Sequence, residues 1–252
     1  LGIMLLFSGS VWAEEDRDSA ILKAQKAYEQ GEFQQVVDLV TPLLKEASTP
    51  SQASRLHILA LASLGKITEA IEAYEKEIKI SKQEDESLLR QTAIASMLPL
   101  RSDMRDQIRG ATYTALKEID SDNVVEYLEE GLADESGMIR ALVAEALGKR
   151  KAGQRSKRFR ESLKDEAGLV RATVLIGLGQ SGDKSLVSMI EPSLTDEQHL
   201  VQIAAARALY ELGQKQYWAR LEQGAKSEEG YERGAAIRAF GELEDPRAIP
   251  IL

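Results

Sequence analysis

The stretch VRATVLIGLGQSGDKSLVSMIEPSLTDE, residues 170–197, decides the fold. It holds an apolar segment, a glycine-marked break at GQSGD, a second apolar segment and a closing Asp196. The GLGQSG glycines follow a helical pattern rather than a strand, so they mark a helix ending. Working outward, the same pattern returns every 31 residues. Asp103, Asp134, Asp165 and Asp196 form one column, and Ser227 closes it. Six residues after each comes Arg109, Arg140, Arg171, Gln202 and Arg233, and just before these lie Ile108, Ile139, Val170 and Val201. Leu116, Leu147, Leu178, Leu209 and Phe240 make an apolar column; Met97, Leu128, Phe159, Ile190, Leu221 and Leu252 make another. Ala115, Ala146, Gly177, Ala208 and Ala239 are small throughout.

A fixed period of this length is the mark of stacked supersecondary units. One helix pair cannot bury its own apolar stripe, so each unit needs a neighbour. The large apolar columns are expected to build a continuous core, and the Ala/Gly column to let helices approach within about 8–10 Å. Each Asp falls in the turn before a helix, where it is expected to cap free backbone N–H groups. The fold expected is all-α, an α–α superhelix (solenoid) of antiparallel helix pairs.

A second period, of 34 residues, precedes the first. Gly31 recurs as Gly65, Phe33 as Ile67, Val36 as Ala70 and Val40 as Tyr74. Each glycine supplies a turn between helices. Gly31, Phe33, Gly65, Ala70 and Tyr74 together resemble the tetratricopeptide repeat (TPR), so residues 17–82 are expected to be two TPR-like repeats. Val36 departs from that family's usual Ala. The 31-residue pattern resembles the HEAT-like repeat of the phycobilisome-lyase (PBS lyase) type, carried most closely by residues 170–197 and by FGELEDPRAIPIL, 240–252. It is expected to cover 87–252 and to be C-terminally incomplete, because the chain stops inside an opening helix. The resemblance implies a ladder in which the Asp and Arg columns bond to each other or to adjacent turns. Gln202 and Ser227 put that ladder in question at two places. The repeat is shared by unrelated proteins, so it speaks for fold rather than function.

Composition fits this fold. Across 252 residues, 43% are apolar and 29% charged, with Leu, Ala, Glu and Lys abundant, all good helix formers. The net charge of −9 argues against a nucleic-acid partner. The sequence has no cysteine, which excludes disulfides, thiolate metal sites and cysteine nucleophiles. LGIMLLFSGSVWA, residues 1–13, is an apolar run with Val11 and Ala13 at the spacing of a signal-peptidase site, followed by Glu14-Glu15-Asp16. It reads as the remnant of a secretory signal peptide and is too short to span a bilayer. The protein is thus expected to be exported, to the bacterial periplasm, with no transmembrane segment once the signal is removed.

A catalytic centre is hard to find. The two histidines, His57 and His199, stand in no metal-ligand spacing, so no metal is expected. HEAT-repeat hydroxylases carry iron on repeated His-Glu pairs, which are absent here. No nucleophile elbow, P-loop or dinucleotide fingerprint occurs, and no cofactor is expected. Carboxylate pairs such as Glu129-Glu130 and Glu228-Glu229 read as solvated helix faces or turns, and Trp218 as core packing. One feature stands apart: KRKAGQRSKRFR, 149–160, holds seven basic residues, Lys149, Arg150, Lys151, Arg155, Lys157, Arg158 and Arg160. In an acidic chain it is a candidate surface for lipid headgroups, an acidic protein surface or the acidic face of the TPR-like units. The functional expectation is a non-catalytic exported scaffold or adaptor that binds protein partners. A bilin-lyase-like enzyme or enzyme subunit is the alternative, by fold analogy.

Overall fold

The computed structural model describes residues 14–45 and 51–251. The apolar segment 1–13 and Leu252 lie outside the described residues. Among the described residues there are fifteen α-helices joined by turns and short 3-10 pieces, and no strand. None of the helices is long and apolar enough to cross a membrane. The chain divides into two units, 1–100 and 101–252.

The first unit holds α1 (Glu14–Glu29), α2 (Phe33–Val40), α3 (Ser51–Ser63), α4 (Ile67–Ser81) and α5 (Glu86–Met97). Gly31 and Gly65 have φ of +77° and +74°, a left-handed conformation that side chains with a Cβ adopt at a cost. Each turns the chain between paired helices. Val36 and Ala70, one 34-residue period apart, are both fully buried. Ala24, Ala27, Val40, Leu43 and Ala53 pack with Val36 in one cluster.

Helix α5 was expected to open the 31-residue run, yet it belongs to the first unit. Its Leu88 packs with Ile58 and Tyr74, and its Ala95 with Leu61, Ala62 and Ala70. The Tyr74 hydroxyl also donates to the Asp85 carbonyl at 3.1 Å, and Asp85 caps α5 by accepting from the Leu88 N–H. An apolar face on α3 and α4 is therefore closed by a helix that the sequence period assigned elsewhere.

The second unit holds α6 (Asp106–Glu118), α7 (Val125–Gly131), α8 (Gly137–Gly148), α9 (Lys151–Arg155), α10 (Lys157–Glu161), α11 (Gly168–Gln180), α12 (Val187–Ile190), α13 (His199–Glu211), α14 (Trp218–Ala225) and α15 (Gly230–Leu243). The longer helices α6, α8, α11, α13 and α15 pack in succession as one layer. The second layer is less regular than a run of helix pairs: each partner is a short α-helix flanked by a 3-10 turn, a further short α-helix or both. The apolar columns form the core. Leu116, Leu147, Leu178 and Leu209 are fully buried, as are Leu128, Phe159, Ile190 and Leu221. In the small column, a Cβ on Gly177 would lie 2.7 Å from the Gly148 Cα, so α8 and α11 meet backbone to backbone there.

Candidate functional site

The two charged columns meet between consecutive repeats. Arg109 donates from Nε and Nη2 to Asp134 at 2.7 and 3.0 Å. Arg140 does the same to Asp165 at 2.8 and 2.9 Å, and Arg171 to Asp196 at 2.8 and 2.7 Å. Each arginine also donates from Nη1 to the carbonyl of its own repeat's aspartate, Asp103, Asp134 or Asp165. One guanidinium thus ties its own turn to the next, using the planar fork that suits a carboxylate. The aspartates accept a backbone N–H as expected, at the residue just before the helix rather than inside its first turn. These N–H groups, two residues on, belong to Arg105, Ser136, Ala167 and Gln198, and the bonds close the turn that leads into the helix. Burial opposes ionisation of Asp134 and Asp165, but the paired guanidiniums and turn N–H groups outweigh it and hold both carboxyls below their ordinary range. The Arg171 bond does the same for Asp196.

The ladder changes form at Gln202 and Ser227. Gln202 keeps the turn contact, donating to the Asp196 carbonyl at 2.8 Å. Ser227 keeps the other, accepting from the Glu229 N–H at 3.2 Å, and Arg233 donates to the Ser227 carbonyl. Across the gap, Arg220 donates to Glu232 at 2.7 Å and to the Gln202 side-chain oxygen at 2.9 Å. Glu232 stands where the other repeats carry Ile108, Ile139, Val170 and Val201. The rung is therefore rebuilt with the carboxylate on the other side. His199 Nδ1 joins it, 2.9 Å from Glu229 and 3.5 Å from Glu232. Candidate ligand atoms of these three lie within 4.8 Å of one another, a grouping that the search for metal-ligand spacing missed because His199 and Glu229 are 30 residues apart. The Arg220 guanidinium already balances Glu232, which favours a closed ion-pair network over a cation site.

The seven basic residues of 149–160 part company. Arg150 is structural: it donates to the Ala146 carbonyl at 2.7 Å and to the Lys117 and Ile119 carbonyls at 2.6 and 3.0 Å, satisfying the open C-terminal end of α6. Lys157 pairs with Glu161 along its own helix. Arg158 lines a different recess, beside Glu129, Glu130 and Glu161. The other four, Lys149, Lys151, Arg155 and Arg160, converge with Gln154 and Gln180 on one open recess of about 710 Å³. Lys149 is paired with Glu145 at 2.6 Å, and Arg160 donates to the Gln154 carbonyl. Lys151 and Arg155 have no carboxylate partner among the described residues.

A larger groove of about 810 Å³ adjoins this recess, with Gly148, Lys149 and Gln180 forming a wall of both. Its apolar lining includes Met138, Leu142, Leu169 and Ile176, and Glu145, Arg207, Glu242 and Glu244 also line it. Glu145 is paired with Lys117 and Lys149, and Glu242 with Arg207. Met138, Leu169, Leu200 and Tyr231 are all exposed and stand 31 residues apart. This outward apolar column was legible in the period, but the buried columns drew the reading away from it. Trp218 is half-buried, its ring 4.7 Å from Phe240 and overlain by the Arg247 guanidinium at 4.4 Å.

A family model described as HEAT repeats matches residues 156–240. The chain carries HEAT-like repeats. A second family model, the PBS lyase HEAT-like repeat, matches 232–252. The HEAT-like repeats therefore include the rebuilt rung and part of both recesses. No curated protein matches the chain. Among solved structures, human deoxyhypusine hydroxylase in complex with glycerol is similar, at 17% identity and a TM-score of 0.41, over 78% of this chain and 81% of that one. That likeness carries no argument about activity.

Proposed function

We propose that this protein is a non-catalytic scaffold that holds a protein partner along the groove of its HEAT-like unit. The carrying observation is the division of labour among side chains. The charged columns are spent on joining repeats, while an apolar column and an open groove are left facing outward. Large exposed apolar positions that recur in register are what a binding face requires. The perturbed groups do not form a reactive set. Burial pushes the Glu211 carboxyl up, but Glu211 is held by Arg207 and packs against Gly179. Burial pushes His57 down, and it belongs to the other unit. The first unit is proposed as two TPR-like repeats, a second binding module, and the segment 1–13 as the export signal that delivers the protein to the periplasm.

Site-specific photo-crosslinking in the envelope fraction tests this. A benzophenone side chain in place of Leu169, inside the groove, is expected to capture a defined protein; one in place of Met189, an exposed residue outside it, is not. Equal capture at both positions, or none at 169, defeats the proposal. A shift in bilin absorbance on mixing with the protein would favour the lyase-like alternative.

A further inference from the structure

The groove and the basic recess share a wall, and together they specify a mixed chemistry. We infer that they bind one extended protein segment in which an acidic cluster is joined to a large apolar side chain. This rests on the scaffold proposal and names the chemistry of the partner.

The basic end comes first. Lys151 and Arg155 lie on the short helix α9, both exposed, and neither is ion-paired among the described residues; Asp183, the one carboxylate lining the recess, is bonded to Ser185. Arg109, Arg140, Arg171, Arg207 and Arg220 of this unit are tied to carboxylates, and Arg150 and Arg233 to backbone carbonyls. In a chain of net charge −9, a recess lined by Lys149, Lys151, Arg155 and Arg160 against Asp183 alone is a local inversion of the field, and it attracts carboxylates. Gln180 lines the same recess and offers a neutral donor to the remaining carboxylate oxygens, while the Gln154 amide is engaged with the Gly148 carbonyl at 2.7 Å.

The apolar end lies along the same two helices. Met138 is 71% exposed and Leu169 41%, near the starts of α8 and α11, whereas Lys149 and Gln180 stand at their ends. Eleven residues separate Met138 from Lys149, and Leu169 from Gln180. At the rise of an α-helix that is about 16 Å. An extended chain covers that distance in about five residues. The occupant therefore carries its acidic cluster about five residues from its apolar anchor. A flat membrane surface would meet the exposed cations without using the concave groove between the helices, so a protein segment fits better than a lipid headgroup.

A random 16-residue peptide library displayed on phage and panned against the 252-residue chain tests this. Enriched sequences are expected to hold two or more Asp or Glu about five residues from a Leu, Ile, Met or Phe. Their synthetic forms are expected to bind at least tenfold more weakly to Lys151→Glu/Arg155→Glu and to Met138→Ser/Leu169→Ser, and more weakly in 500 mM than in 50 mM NaCl. All four positions face solvent, and an unchanged melting temperature checks that the variants fold. If peptides bind and respond only to Met138→Ser/Leu169→Ser, the groove reading stands and the acidic chemistry is wrong. If no peptide enriches, or binding survives both variants, the scaffold reading fails with it. If the protein instead sediments with phosphatidylglycerol vesicles, loses them on Lys151→Glu/Arg155→Glu and selects no acidic peptide, the ligand is an anionic lipid and the inference is overturned.

Discussion

Arg140 reaches from one repeat to the next and grips Asp165 through two parallel hydrogen bonds of 2.8 and 2.9 Å. Both side chains are about nine-tenths buried, at 8% and 10% exposed. The same guanidinium holds the Asp134 carbonyl of its own turn. Arg140→Ala should therefore destabilise the chain by about 2 kcal/mol. That is less than the ~3–5 kcal/mol of a fully interior pair, because Asp165 keeps its bond from the Ala167 N–H. Urea denaturation measures this. The double variant Arg140→Ala/Asp165→Ala should cost clearly less than the sum of the single variants, since it leaves no buried carboxylate behind; simple additivity would show that the two residues act independently.

The ladder also sets a pH dependence. Asp134, Asp165 and Asp196 have folded-state values below the ordinary carboxylate value of 3.8. A carboxyl whose folded value is depressed contributes stability that is present above its unfolded value and is lost as pH falls through the folded one. Thermal melts from pH 7 to pH 2.5 should show a loss of stability that sets in below about pH 4. Asp165→Asn should reduce that acid-dependent loss while lowering stability at pH 7. A variant with an unchanged acid profile would remove Asp165 from the account.

Two glycines in helices should respond oppositely to alanine. A Cβ on Gly177 would lie 2.7 Å from the Gly148 Cα and 2.9 Å from the Phe159 ring. Overpacking of this kind costs about 1–3 kcal/mol, more than the ~1 kcal/mol that alanine gains in helix propensity. Gly177→Ala should lower the midpoint of unfolding. At Gly234 a Cβ meets nothing within 4 Å, and Gly234→Ala should raise stability by about 0.5–1 kcal/mol. The same direction of change at both sites would contradict the close approach of α8 and α11.

The rebuilt rung predicts an asymmetry between Arg220 and His199. Arg220→Ala leaves the buried Glu232 without its guanidinium and should cost about 2 kcal/mol. His199 is half-exposed, and His199→Ala should cost under about 1 kcal/mol. Denaturation in the presence and absence of zinc checks both: a zinc-dependent rise in stability that His199→Ala abolishes would show that the cluster is a cation site after all.

Much of this was legible before any coordinates. The Leu and Ile columns, the Ala/Gly column and the Asp and Arg columns follow from a strict 31-residue period, because each repeat must present the same side chains to the same neighbour. The glycine turns at Gly31 and Gly65 were legible for the same kind of reason. Other things were not. The period placed α5 with the second run, while the apolar faces of Tyr74 and Ala70 claimed it for the first unit. The basic stretch read as one patch, while hydrogen bonds made Arg150 a helix-end ligand and sent Arg158 to another recess.

The sequence by itself determined that helices stack, which residues face inward and which columns are charged, since periodicity fixes what recurs. Only the tertiary structure decided which of the seven cations share a recess, that a groove carrying Met138 and Leu169 adjoins it, and that Arg220 and Glu232 replace a missing rung. Those are relations between side chains on different helices, and distance in space, not spacing along the chain, sets the strength of charge pairing and apolar contact.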